Sequence, residues 1–281
     1  MSLPDWLRAA ADRLAQSGPV AGLRRVTTTY DEAGGALLAG GLAYSALFAL
    51  LPSLLLLTGI LGLVVDDPAR REAIVEGLAE NLPPLRDLLE ASLAAISDGA
   101  VGFGILGLVG LTWGASRFYA SLDDAFARIY RDARHRGFVE RTIRGLVSVV
   151  LLAATFIAAL VLTAIASLLA ERVEDRLPGA DMIWQVASPV AAGVVFVAAV
   201  VVTYRLVPPR APRWRAVVTP AIVVGIGEAV LTQLFSYVAP RLVGSAAVYG
   251  TFVALFAAMI WLSFGFQLLL LGAAWVRVRA T

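Results

Sequence analysis

The sequence predicts an all-α integral membrane protein, a single domain over residues 1–281 with six transmembrane helices. Short amphipathic helices are expected at the N-terminus and in the outer loop between the first two spans. Composition is the first observation behind this. Of 281 residues, 59% are hydrophobic and 16% are charged, and the mean hydropathy is +0.80. A soluble domain is about 45–50% apolar and about 25% charged. Distribution is the second observation: the apolar excess falls in blocks of the length a helix needs to cross about 30 Å of hydrocarbon. A third is the placement of the arginines, which separate by side when six spans are drawn.

The six blocks run Ala36–Val65, Val101–Ala120, Ile143–Leu169, Val186–Val207, Ala216–Val238 and Ala246–Val276. A transmembrane β-barrel would instead alternate apolar and polar residues over strands of about ten residues. Runs such as Leu54–Leu57 are apolar on every side, which selects helices. The first 35 residues lack an isolated apolar core with a small-residue cleavage site, so the first span is expected to act as an uncleaved insertion signal.

Every basic side chain other than His135 is an arginine. With six spans, seventeen arginines lie on one side, and Arg70, Arg71, Arg86, Arg172, Arg176 and Arg241 lie on the other. The positive-inside rule then puts both termini in the cytoplasm. The isoelectric point near 9.2 follows from this topology and from contact with anionic lipid headgroups. It calls for no nucleic acid, whose binding surfaces interleave basic and aromatic residues on one fold.

Two segments outside the spans are amphipathic. Trp6, Leu7, Ala10, Ala11 and Leu14 recur at helical spacing opposite Asp5, Arg8, Asp12 and Arg13, the pattern of a helix lying in the interface. Between the first two spans, Leu85, Leu88, Leu89, Leu93 and Ile96 form an apolar stripe after Pro83-Pro84. That connection is acidic. It reads either as a solvated face of short helices or as a vestibule that screens what enters from outside.

Inside the spans, Glu228 is the leading candidate. An ionised carboxylate at the bilayer centre costs about 2.5–3.5 kcal/mol on insertion scales. Thr232 and Ser236 follow at four-residue steps on one helical face, with Gln233 and Tyr237 widening the stripe. Such a set calls for other helices or a cavity. Two readings stay open: a protonated carboxyl held for interhelical packing, or a substrate or proton site. Pro52, after Tyr44 and Ser45, removes a backbone hydrogen bond from the first span and is expected to interrupt it. Gly40, Gly41, Gly104, Gly107, Gly110 and Gly114 allow close helix approach, between helices of one chain or between subunits of a homo-oligomer.

Catalysis and cofactors find no support. Without cysteine there is no disulfide, thiolate nucleophile or cysteine-bound metal. No phosphate-binding loop of the Gly-x-x-x-x-Gly-Lys type occurs, so the chain would not hydrolyse ATP itself. Asp123 and Asp124, adjacent on a helix, point about 100° apart and do not pair on one face. No metal site is expected.

Four stretches resemble the YihY/BrkB family, long mislabelled as ribonuclease BN. Ala43-Tyr44-Ser45-Ala46-Leu47-Phe48-Ala49-Leu50-Leu51-Pro52 is similar to its first-helix motif, and Leu122–Tyr130 to its segment after the second helix. Glu228 with Phe235, Ser236 and Tyr237 resembles the family's fifth helix. Val248-Tyr249-Gly250-Thr251, Trp261-Leu262 and Leu271-Gly272-Ala273 resemble its sixth, which adds Tyr249 to the candidates. The chain departs from the pattern where Ala274 replaces a common Glu and Pro220-Ala221 replaces Gly-Ala. The resemblance implies a six-helix inner-membrane protein tied to envelope integrity and to movement of lipids or small solutes. The expected function is a lipid flippase or small-solute exporter working among membrane lipids. The alternatives are a membrane scaffold and, least supported, a ribonuclease.

Overall fold

The computed structural model describes residues 18–64, 69, 76, 100–131, 180–208, 210–244 and 250–280. Among them every regular element is a helix: α1 (Gly18–Glu32), α2 (Gly35–Val64), α3 (Ala100–Tyr130), α4 (Ala180–Leu206), α5 (Trp214–Gly244) and α6 (Gly250–Ala280). Five of the six predicted spans overlap α2 to α6. The third, Ile143–Leu169, lies outside the described residues, as do both amphipathic stretches predicted outside the spans. At about 1.5 Å per residue, the 31 residues of α5 reach about 46 Å, more than the hydrocarbon core requires.

Length and apolarity together are more selective. Trp214–Val238 and Leu255–Ala280 are each sufficient to cross a membrane, and Ala21–Glu32 with Gly35–Leu50 forms a third, bent candidate. In α4, which runs 27 residues, the described side chains begin at Gly193, and Gly193–Leu206 is apolar. The described residues therefore supply an all-helical membrane fold with two or three crossings by this criterion.

The helices are turned inside out relative to a soluble bundle. Along α5, Val218, Ile222, Ile226, Val230 and Leu234 recur every four residues and are exposed, whereas Val217, Ala221, Thr232 and Phe235 are buried. On α6, Phe256, Ile260 and Phe264 face out while Ala257, Ala258, Ala273 and Ala274 face in. Lipid tails are as apolar as leucine, so helices gain little by hiding large apolar side chains from them. Association comes from close van der Waals packing, which favours small residues inside.

Packing is organised as two helical pairs joined by α6. α2 lies along α3, α4 lies along α5, and α6 touches all five other helices. In the first pair, a Cβ on Gly114 would stand 2.6 Å from the Phe48 carbonyl oxygen; in the second, a Cβ on Gly225 would stand 2.7 Å from the Val197 backbone nitrogen. Backbone meets backbone at both points. Gly40 and Gly41, also expected at close approaches, have nothing within 4 Å of where a Cβ would be. Their helix meets α3 through Phe48, Ala49 and Pro52 instead.

α1 was not anticipated. It continues towards α2 through a 60° bend at Gly34, whose φ of +72° suits glycine because it carries no Cβ. The Gly34 amide donates to the Asp31 carbonyl at 2.9 Å, and the Leu38 amide donates to the Gly34 carbonyl at 3.0 Å, so the chain turns with its backbone groups paired. Pro52, by contrast, sits inside α2 and the helix runs through it to Val64. Its ring packs on Gly110, where a Cβ would stand 2.9 Å away.

The buried core occupies the arginine-rich end of the bundle. It joins Val26 and Tyr30 of α1, Leu42 of α2, Phe126 and Ile129 of α3, Tyr204 and Val207 of α4, Val217 of α5, and Leu270 and Val276 of α6. Phe126 stacks on Tyr130 at 6.3 Å and tilts against Tyr204 at 6.2 Å. The turn from α4 to α5 is fastened by Arg205, which donates to the Pro212 carbonyl at 2.6 Å and lies 4.2 Å from the Trp214 ring.

Candidate functional site

Glu228 lies two residues past the midpoint of the candidate span Trp214–Val238. It shares the packed face of α5 with Val224, Gly225, Thr232 and Phe235, all buried. Across from it α6 presents Gly265, where a Cβ would stand 3.0 Å from one carboxylate oxygen and 3.5 Å from the other. The missing side chain makes room for the carboxyl. Glu228 is fourteen residues into α5 from Trp214, and Gly265 fifteen residues back from Ala280. At about 1.5 Å per residue both stand about 21–23 Å from the arginine-rich end. Among the described residues no cation pairs with this carboxylate.

The rest of the stripe divides. Thr232 is buried, and its hydroxyl has no hydrogen-bond partner among the described residues. Ser236 is half-buried and donates to the Gln233 carbonyl at 2.6 Å. Gln233 and Tyr237 are exposed, Tyr237 to 62%. A helix advances about 100° per residue, so residues one and five positions after Thr232 or Glu228 turn towards the outer face. Glu228, Thr232 and Ser236 form the inward column; Gln233 and Tyr237 do not share it.

The first-span candidates belong to the α2–α3 pair. Tyr44 is 57% exposed and packs its ring 4.7 Å from Phe48, which meets Trp113 at 6.4 Å. The Ser45 hydroxyl is within 3.0 Å of the Ser121 hydroxyl and 2.9 Å of the Gly41 carbonyl. Pro52 packs on α3 as described above. Tyr249 lies outside the described residues.

Several residues that shape this region carried no clear signal. Tyr204 is fully buried and donates to the Leu269 carbonyl of α6 at 2.7 Å. It meets α6 four residues nearer the arginine-rich end than Gly265 and tilts against Phe126 of α3. Its only sign in sequence is a phenol at the end of an apolar run. Gly265 was one glycine among 25. At the end of the bundle, Arg277 donates to the Ile129 carbonyl, Arg131 pairs with Glu32, and burial pushes the Tyr130 phenol up while Arg277 beside it acts in the opposite direction.

Metal chemistry gains nothing from the geometry. Among the described residues no three His, Asp or Glu side chains converge. Asp123 is buried and Asp124 exposed, in keeping with their divergence on one helix. His135 lies outside the described residues.

The comparisons agree with the motifs. The family model of the virulence factor BrkB matches residues 26–281. A UPF0761 membrane protein of Nitrosospira multiformis is 25% identical over 240 residues, which cover 84% of this chain and 55% of the relative. The chain thus spans about half the length of that curated relative. No solved structure matches. With a motif resemblance over almost the whole chain, an inside-out helical bundle and a family match over residues 26–281, the chain belongs to the BrkB (YihY/BrkB) family of membrane proteins.

Proposed function

We propose that this protein is a six-span inner-membrane transporter that moves a lipid or a small solute without an ATPase of its own, with both termini in the cytoplasm. One observation carries the reading: the Glu228 carboxyl sits at mid-span between α5 and α6, opposite a glycine and without a cationic partner among the described residues. A carboxyl kept at that depth is costly unless it is neutral or meets a partner. The buried Thr232 hydroxyl one turn further along α5, without a hydrogen-bond partner among the described residues, supplies a second polar group on the same face. Together they can bind a polar headgroup or solute that enters between the helices, or exchange a proton as the helices move.

A membrane scaffold is the second reading. Tyr204, Phe126, Ile129 and Leu270 are fully buried at the arginine-rich end, and a solid end of this kind also suits a protein that only holds partners together.

The test is native mass spectrometry of gently solubilised protein, comparing wild type with Glu228→Gln and Glu228→Ala, followed by transport in proteoliposomes of whatever is retained. Retention of one lipid or metabolite by wild type, lost in both variants while their melting temperatures hold, supports transport through Glu228. Equal retention by all three, or no specific passenger in any, removes Glu228 from a transport path and favours the scaffold.

A further inference from the structure

A cleft of about 460 Å³ opens between α1 and the C-terminal end of α6, lined by Arg24, Arg25, Thr28, Thr29 and Arg277 among others. A second cleft, of about 330 Å³, shares Thr29 and Arg277 and adds Glu32, Arg128 and Arg131. The acid of this second cleft is already engaged, since Glu32 pairs with Arg131. Among the described residues no acidic side chain lines the first cleft. The guanidinium groups of Arg24, Arg25 and Arg277 therefore border one space with two threonine hydroxyls.

We infer that the cleft between α1 and α6 is a binding site for a phosphate group, with Arg24 and Arg25 as its principal ligands. Guanidinium offers paired N–H donors in a planar fork that matches phosphate oxygens, and such charge-assisted bonds are about twice as strong as neutral ones. Thr28 and Thr29 place two hydroxyls on the same lining. Arg277 adds positive charge from a fixed position, because it is half-buried and its guanidinium donates to the Ile129 carbonyl. α1 is itself held in place: Val26 and Tyr30 are buried in the core, so its arginine face is presented by a docked helix. Clustered like charges repel, and an anion bound among them relieves that repulsion.

The phosphate can come from a lipid headgroup or from solution. Leu23, beside Arg24 on α1, is 65% exposed, an apolar neighbour that suits an acyl chain better than a soluble anion. The site is separate from Glu228. Arg277 is twelve residues beyond Gly265 on α6, about 18 Å along the helix, so its test does not depend on the transport reading.

The experiment titrates the full chain in a neutral detergent with a short-chain phosphatidylglycerol and, in parallel, with inorganic phosphate. Thermal stabilisation is followed at fixed ionic strength. Wild type is compared with R24Q/R25Q, whose residues are exposed, and with the charge-matched control R210Q/R213Q from the α4–α5 turn. The expected result is saturable stabilisation by phosphatidylglycerol that is at least about fivefold weaker in R24Q/R25Q and unchanged in the control. Equal or stronger saturation by inorganic phosphate, with the same dependence on Arg24 and Arg25, supports the site and assigns it to a soluble phosphate. The inference is overturned if both double variants weaken binding equally, if neither does, or if neither anion stabilises wild type.

Discussion

Tyr204 does two jobs at once, and they separate by mutation. Its ring fills the junction of α3, α4 and α6, and its hydroxyl satisfies the Leu269 carbonyl at 2.7 Å. Tyr204→Phe keeps the volume and removes the hydrogen bond; interhelical bonds in membranes average about 0.6 kcal/mol and soluble ones about 1 kcal/mol. Tyr204→Ala opens a cavity in the core and is expected to cost about 3–5 kcal/mol. Unfolding in mixed micelles with increasing denaturing detergent measures both; similar losses would shift the weight to the hydroxyl. Glu228 was legible in sequence because charge inside an apolar block stands out against its surroundings. Its neighbours were legible only in part: a stripe drawn from spacing keeps Thr232 and Ser236, while Gln233 and Tyr237 fall on the far side of a boundary set by where α6 lies.

At the scale of elements, the same residue type has opposite meanings in different places. Gly225 and Gly114 lie where backbones touch, and Gly40 lies where no other described residue comes close. Gly225→Leu must push α4 away from α5, a change of the overpacking kind that costs about 1–3 kcal/mol or more. Gly40→Leu is expected to leave stability unchanged or to raise it, since glycine in a helix is about 1 kcal/mol less favourable than alanine or leucine-like residues. Melting temperature and the monodisperse fraction on size exclusion report both. A damaging Gly40→Leu would place another helix or a second subunit against that face. The bend at Gly34 belongs to this scale too. Gly34-Gly35 was visible as a pair before the first span, yet the docked helix ahead of it was not, because among its described side chains only Val26 and Tyr30 are buried in the core, too few to stand out as an apolar stripe.

For the whole molecule, the side on which the arginines fall makes a topology prediction that this chain is well suited to test. It has no cysteine, so any introduced one is a unique label. Arg210→Cys and Arg279→Cys, both at exposed positions, are expected to react with a membrane-impermeant maleimide only from the cytoplasmic face. Glu76→Cys, also at an exposed position, is expected to react only from the outside. Labelling of position 210 from outside, or of position 76 from inside, would break the six-span arrangement.

Taken by itself, the sequence determined the solvent, the helical class, the family and the presence of a carboxyl in the membrane. These depend on local quantities, namely the length of apolar runs, the absence of alternation, the spacing of motif residues and one charge in an apolar block. The tertiary structure alone decided which faces meet. It made Gly225 a contact and left Gly40 clear of the other described residues, ran α2 through Pro52, turned the chain at Gly34, set Gly265 against Glu228, and gathered Arg24, Arg25 and Arg277 from opposite ends of the chain around one cleft. In lipid, large apolar residues gain little by turning inward, so hydropathy marks the helices and leaves their faces undetermined. Close packing of small residues and a few hydrogen bonds choose the faces, and both depend on residues far apart in sequence.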